Sequence, residues 1–261
     1  MKEKPSQLIS KWLKTGDKTV AIRYMSYFII ALLIFGFCGY AVTKMRLNDA
    51  NCNNLSKIYT GFPKLSSFNP DNAAYKYLLR DYYIKTAYNC CCGGQFKNDW
   101  VNVCALKTCI AQGARVLDFE IYSVNDKPVV ATSSVTNFHT KEMYNQIPFE
   151  DAMNIVNSYA FSGGSTPCPN DPLILHFRIS SNNKKIYDKM ADTIYSTIES
   201  KLLGKEYSYE YTGHNLGAVP LKEFSQKVII SVDRSNPLFE ETPLKEYVNI
   251  ASNSIFLRAA R

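Results

Sequence analysis

Hydrophobic and polar positions divide the chain into stretches of different period. From Tyr24 to Thr43 the sequence YMSYFIIALLIFGFCGYAVT has no charged residue and is bracketed by Arg23 and Lys44. A helix of that length rises about 30 Å, the thickness of a bilayer core, so the pattern predicts one transmembrane helix over 24–43. Residues 44–69 are rich in Asn, Ser and Lys with no sustained apolar period and read as a stalk. Over 70–261, short β-like runs alternate with helical stretches, as in an α/β domain with parallel strands.

Within that body, DYYIKTA (81–87) reads as a strand and WVNVCALKTCIAQ (100–112) as a helix stopped by Gly113. ARVLDFEIYS (114–123) and KPVVAT (127–132) read as strands separated by the turn residues Asn125-Asp126. IPFEDAMNIVNSYAF (147–161) has Pro148 where a first helical turn accepts it. LILHFRIS (173–180) is a strand and 183–203 a long helix with Gly204 at its end. KVIISVD (227–233) and SIFLRA (254–259) are further strand candidates. In KEYSYEYTG (205–213), Tyr207, Tyr209 and Tyr211 at a spacing of two fit either a half-buried edge strand or a loop facing lipid or a partner.

Composition changes the picture at three points. A chain of 261 residues, 46% hydrophobic, has enough apolar surface to bury a core and is not a disordered one. Of the net +7, residues 1–23 carry +4, so charge gives no reason to expect nucleic acid as a partner of the body. The basic tail, 1–23, instead orients the span: more Lys and Arg precede it than the Lys44 and Arg46 that follow closely, which favours a cytoplasmic amino terminus and a body across the membrane. Tyr24, Tyr27 and Tyr40 stand near the span ends, and Gly36 and Gly39 would let a second helix approach. Leu8, Ile9, Trp12 and Leu13 recur at helical spacing among lysines, which fits a short helix on an anionic membrane face or a solvated tail. A cleaved signal peptide is the competing reading, because Gly39-Tyr40-Ala41 has small residues at a cleavable spacing.

Seven of the eight cysteines lie outside the span: Cys52, Cys90, Cys91, Cys92, Cys104, Cys109 and Cys168. In an oxidising space up to three disulfides and a leftover thiol would form. A zinc site is a weak alternative, because consecutive cysteines point in different directions and no CxxC pair or nearby His completes a tetrahedral set. Asn54-Leu55-Ser56 is a lone glycosylation sequon.

The order of these segments resembles the X region of phosphatidylinositol-specific phospholipase C, a distorted (β/α)-barrel of the PLC-like phosphodiesterase type. DYYIKTAYNCCCGGQF resembles its first strand and loop, ARVLDFEIY its second strand, KPVVAT its third, IPFEDAMNIVNSYAF the helix after it and LILHFRIS its fourth. PLKEFSQKVIISVD (220–233) is similar to the segment that ends the region. About six strand candidates, against roughly eight in a complete barrel, imply an incomplete barrel whose edge the stalk, a protein partner or a homo-oligomer would close.

The resemblance implies two histidines that move protons, and this chain departs at both. Tyr88 stands at the first position, beside the retained Asn89, and Thr132 at the second, or Ser133 with a shift of one. Neither hydroxyl type titrates near neutrality. It also implies Ca²⁺ on an Asn and three carboxylates. Asn89, Asp118 and Glu120 match three of these, whereas Arg178 stands at the fourth, where its cation would repel Ca²⁺ and pair with Asp118 and Glu120. The lysines that grip head-group phosphates are replaced by Ser231 and Asp233. His176, two residues before Arg178, is either a satisfied interior histidine or a relocated acid or base, and His139 and His214 fall in expected loops or helix ends. Asp118 and Glu120 also suit any nearby arginine, Arg115 included, and the place of Arg178 depends on strand register.

Three functions follow as expectations. The first is a membrane-anchored domain that kept the fold without phosphodiesterase catalysis or cofactor, a structural or binding component. Its composition is similar to proteins of large DNA viruses of protists and algae, which would place it in a virion membrane. The second is an active phosphoric diester hydrolase with Ca²⁺ on Asn89, Asp118 and Glu120 and proton transfer by His176. The third is a module that binds inositol lipid head groups without cleaving them.

Overall fold

The absence of proline between Lys18 and Ile58 lets one helix, α1 (Lys18–Ile58), continue well past the apolar stretch. The computed structural model describes residues 18–61, 65–135, 140–210 and 215–252, and the chain divides into two compact units, 1–47 and 48–261. Among the described residues α1 is the one helix long and apolar enough to cross a membrane, and its apolar side chains such as Phe28, Phe35 and Phe37 are exposed. The amphipathic stretch around Leu8 and Trp12 lies outside the described residues.

The expected stalk is corrected in part. Residues 48–58 are helical, and within the second unit they are fastened to the loop before the next helix and to that helix itself. Asn48 accepts from Asn102 at 2.7 Å, Asn51 donates to Asp99 at 2.9 Å, and Cys52 is disulfide-bonded to Cys104. Asn-rich sequence has low helix propensity alone, but these tertiary bonds override it. Further on, Phe68 is buried, and Asp171 accepts from its N–H.

Among the described residues seven strands form one sheet: β1 (Thr86–Ala87), β2 (Val116–Val124), β3 (Lys127–Val130), β4 (Ile147–Pro148), β5 (Leu173–Ile179), β6 (Val228–Asp233) and β7 (Ile250–Ser252). The order is β4-β3-β2-β5-β6-β7, with β1 beside the start of β2. The expectation of parallel strands holds for β1, β2, β5, β6 and β7 and is corrected for β3 and β4, which run antiparallel to their neighbours. The cause is local: Asn125 (φ 52°) and Asp126 (φ 58°) both take the left-handed conformation of a tight hairpin turn, which returns the chain beside β2. No pairing joins β4 to β7 among the described residues, so the (β/α)-barrel is open.

Three helices follow the expected pattern with shifted ends. The first, α2 (Val103–Ala111), begins late because the Asn102 side chain caps it, and Gly113, at φ 79°, ends it. Pro148 lies in the edge bridge before α3 (Phe149–Tyr159), and Asn183 caps α4 (Lys184–Ile198). Their apolar stripes pack with the outward residues of the sheet, among them Leu117, Phe119, Ile121, Leu175 and Phe177. The Phe177 ring lies 5.9 Å from that of Phe119 and 5.4 Å from that of Phe149. A second cluster, with Phe68, Leu79, Leu221, Phe224 and Ile229, packs with Ile174 and Ile250 near the amino ends of β5–β7.

Three further expectations change. DYYIKTA pairs only at Thr86–Ala87, because Leu79–Asp81 forms a 3-10 turn and Tyr83 points fully to solvent. Lys205–Tyr207 is a 3-10 turn and not an edge strand, so Tyr207 and Tyr209 do not share a face: they pack on Phe224 and Phe239 in different clusters. Tyr211 and the strand expected at 254–259 lie outside the described residues, while β7 forms just before the latter.

The Cys52–Cys104 bond closes a loop of 52 residues. Cys52→Ser is expected to lower unfolding stability by about 2–4 kcal/mol, read as a lower urea midpoint of the full chain in detergent. A midpoint equal to the parent's would show that the cross-link does not constrain the unfolded chain.

Candidate functional site

Parallel pairing of β2 with β5 sets Asp118 beside His176 and Glu120 beside Arg178. The two-residue period turns all four to the inner face, away from Phe119 and Phe177. Asp118 and Glu120 are buried, 4% and 5% exposed, in a setting where an unpaired carboxylate would be costly. Arg178 supplies the countercharge: Nε donates to Asp118 Oδ1 at 3.0 Å and Nη2 to Asp118 Oδ2 at 2.9 Å, a two-pronged grip. Nη2 also donates to Asn89 Oδ1. Nη1 lies 3.4 Å from Glu120 Oε2, an ion pair too long to count as a good hydrogen bond. Above the guanidinium, 4.7 Å from its carbon, sits the centroid of the Tyr88 ring.

Asn89 is set by its backbone, at φ 46° in the left-handed region that Asn tolerates better than most residues. That turn aims its N–H at Asp118 Oδ2, 3.0 Å away, while the Cys90 N–H donates to the Asp118 carbonyl at 3.0 Å. The loop after β1 is thereby fastened to β2 at one residue. Asn89 Nδ2 is buried without a hydrogen-bond partner among the described residues, as is Glu120 Oε2. An amide group left so costs about 1–3 kcal/mol, so the cluster is not arranged for stability alone.

The two carboxyls differ. Burial would raise Asp118, but hydrogen bonds from His176 and Arg178 and the guanidinium charge outweigh it and hold Asp118 below its ordinary value. For Glu120 burial prevails over the Arg178 charge and the Tyr122 hydrogen bond, and its value is raised. Burial disfavours the Arg178 cation, yet Asp118 and Glu120 together raise its value and keep it charged. The Tyr122 hydroxyl donates to Glu120 Oε1 at 2.6 Å.

His176 Nδ1 lies 2.7 Å from Asp118 Oδ1, and its Nε2 lies 3.2 Å from Ser252 Oγ on β7. Thr132 is buried and donates to the Phe96 carbonyl at 3.0 Å, and Ser133 donates to Glu142 at 3.0 Å. Ser231 is buried beside His176 in register, and Asp233 accepts from the Ser235 N–H. Arg115 does not reach the cluster: its guanidinium donates to the carbonyls of Ala160, Asp171 and Pro172. His139 and His214 lie outside the described residues. Sequence reasoning missed Tyr122 and Ser252. Tyr122 was open to the same period-two count that joined Asp118 to Glu120, whereas Ser252 was hidden by placing the last strand a few residues too late.

The donor set does not fit a divalent ion. Both oxygens of Asp118 and the amide oxygen of Asn89 accept from Arg178, whose positive charge occupies their common face. Among the described residues no group of three or more His, Cys, Asp or Glu is arranged to hold a metal ion. The other described cysteines outside the span, Cys90, Cys91, Cys92, Cys109 and Cys168, are free thiols, so one disulfide forms where up to three were expected. Burial first of all raises the Cys90, Cys92 and Cys109 thiols, which disfavours the thiolate zinc needs.

Comparison with known proteins gives a matching family, described as phosphatidylinositol-specific phospholipase C, X domain, over residues 75–234. A solved S. officinalis PLC21 is similar at 17% identity with a TM-score of 0.51, over 67% of this chain and 24% of that one. L. pealei PLC21 matches at 18% identity with a TM-score of 0.48, over 61% and 19%. A calcium-dependent phosphoinositol-specific phospholipase C from a Pseudomonas species matches at 12% identity with a TM-score of 0.46, over 70% of each chain. This chain thus spans less than a quarter of the length of either PLC21 chain. No curated protein matched.

Arg178→Met leaves Asp118 and Glu120 buried without their cation and is expected to cost about 3–5 kcal/mol at neutral pH. The depressed Asp118 stabilises the fold above its unfolded value, about 3.9, and that share is lost as pH falls through its lower folded value. Urea melts should therefore show a shallower loss of stability below about pH 4 in the variant than in the parent. Glu120 has the opposite sign: its raised value favours the fold when protonated, and this share is lost as pH rises through that value. Glu120→Gln should thus be more stable than the parent at neutral pH and match it near pH 3, measured by the same melts.

Proposed function

We propose that this chain, which belongs to the phosphatidylinositol-specific phospholipase C X-domain family, is a membrane-anchored domain that kept the family fold, lost phosphodiester turnover and serves as a structural or binding component. The observation that carries the reading is the seat of Arg178, bonded at once to Asn89 and Asp118 and paired with Glu120. The resemblance assigns that pocket to Ca²⁺, and a fixed guanidinium there neutralises the carboxylates without offering a position for substrate oxygen. Proton transfer is also unprovided at the two positions the resemblance assigns to histidine. Tyr88 covers the guanidinium with its ring, and the Thr132 hydroxyl is committed to a backbone carbonyl.

Anchoring rests on α1, and orientation on the basic tail before it. The Cys52–Cys104 disulfide supports an oxidising compartment for the body. Inositol lipid head groups are the ligand class the family suggests for a retained cleft, and the open ends of the sheet at β4 and β7 suit a protein partner or a second copy. One observation favours an active hydrolase instead: His176 is held by Asp118 at 2.7 Å and keeps a second ring nitrogen for proton transfer.

An assay separates these. Full-length protein reconstituted in vesicles containing phosphatidylinositol is expected to release no inositol phosphate, in Ca²⁺ or in chelator. Release that depends on Ca²⁺ and is lost in Asp118→Asn would establish the hydrolase and overturn the proposal.

A further inference from the structure

The inner face carries a constellation that the phosphodiesterase resemblance does not use. Asp118 Oδ1 accepts from His176 Nδ1 at 2.7 Å, and on the other side of the ring Nε2 lies 3.2 Å from Ser252 Oγ. Three strands supply the three groups, β2, β5 and β7, so their relative positions are set by the sheet and not by one loop. An ionised carboxylate can only accept, so Nδ1 donates to Asp118, and in the neutral imidazole Nε2 is then an acceptor facing a hydroxyl. Ser252 Oγ is also 3.2 Å from the Val232 carbonyl, so its single proton has two acceptors within reach. The serine is half-buried on the terminal strand of the described sheet, and the His176 side chain is 23% exposed, so a small molecule can reach both.

We propose that Ser252, His176 and Asp118 act as nucleophile, general base and positioning residue in the hydrolysis of uncharged carboxylic esters. Attack forms a bond from Ser252 Oγ to the ester carbonyl carbon while the serine proton passes to His176 Nε2. The carbon–alkoxide bond then breaks, and the alcohol leaves with that proton. Water, giving a proton to Nε2, adds to the acyl carbon, the acyl–Oγ bond breaks, and the proton returns to Ser252.

Charge selects the substrate class. The inner face carries Asp118, Glu120 and Asp233, which neighbours Ser252 in register, against the single guanidinium of Arg178. These groups leave no surplus of positive charge beside Ser252 to hold an anion, so an uncharged ester suits the serine better than a charged one. The same three residues thus suit acyl transfer in a face that has lost the features for phosphoryl chemistry.

The test uses the full-length chain in detergent, treated with an uncharged alkyl fluorophosphonate and mapped by peptide mass spectrometry. Attack by Ser252 on phosphorus expels fluoride and leaves a stable adduct, expected at Ser252. Hydrolysis of p-nitrophenyl acetate should fall by about a hundredfold in Ser252→Ala and similarly in His176→Gln. Ser252→Ala removes one hydroxyl from a terminal strand and is the decisive variant, and the adduct map on the parent needs no variant. An adduct confined to other residues, no adduct, or an undiminished rate in Ser252→Ala would overturn the proposal. A phosphatidylinositol turnover that survives Ser252→Ala would bear on the preceding function and leave this adduct test unaffected.

Discussion

The two-pronged bond from Arg178 to Asp118 is the constraint around which the interior of this domain is built. Asp118 is the meeting point of three elements: its side chain holds the loop after β1 through the Asn89 N–H, and β5 through Arg178 and His176. Remove the cation and a buried carboxylate pair remains, which the fold tolerates only with countercharge. The interaction does not maximise stability, since among the described residues Asn89 Nδ2 has no hydrogen-bond partner and Glu120 Oε2 is met by a long ion pair with Arg178 and not by a hydrogen bond. It sets which groups face one another.

That interior is layered along the strands. Near the amino ends, Ile174, Ile229 and Ile250 pack with the cluster around Phe68 and Phe224. The next inward positions are polar, with Asp118, His176 and Ser231 in one register row and Glu120 paired with Arg178 further along. The outward face is apolar at Leu117, Phe119, Ile121, Leu175 and Phe177 and packs with α2, α3 and α4. A sheet supported from outside by helices can keep polar groups inside provided they satisfy one another. The same arrangement that gives Asp118 and Glu120 their countercharge leaves His176 bonded on one side and facing Ser252 on the other, the basis of the proposed acyl chemistry.

The edges of the body follow a different logic. Asn48, Asn51 and Cys52 look like linker in composition, yet side-chain bonds and a cross-link hold that turn of helix to the second unit. The Tyr-rich segment became a 3-10 turn because its rings found separate partners, Phe224 and Phe239. DYYIKTA formed only a two-residue pairing because most of it is occupied by turn and exposed tyrosine.

Much of the fold was legible because period and capping are local. The apolar span, the helical stretches expected at 100–112 and 183–203 apart from their ends, the Asn125-Asp126 turn and the inward alternation of Asp118 with Glu120 and of His176 with Arg178 all follow from neighbours in the chain. Register between distant strands and closure are not local: nothing near Arg178 states that it faces Asp118, and nothing near Ser252 states that it stands beside His176. Those depend on which segments meet across the sheet, where a shift of one residue turns every side chain to the other face. The sequence by itself therefore determined which residues are available to the site, because alternation is built into each strand. Only the tertiary structure decided that Arg178 grips Asp118 and that Ser252 joins them, because those contacts exist through pairings between distant strands.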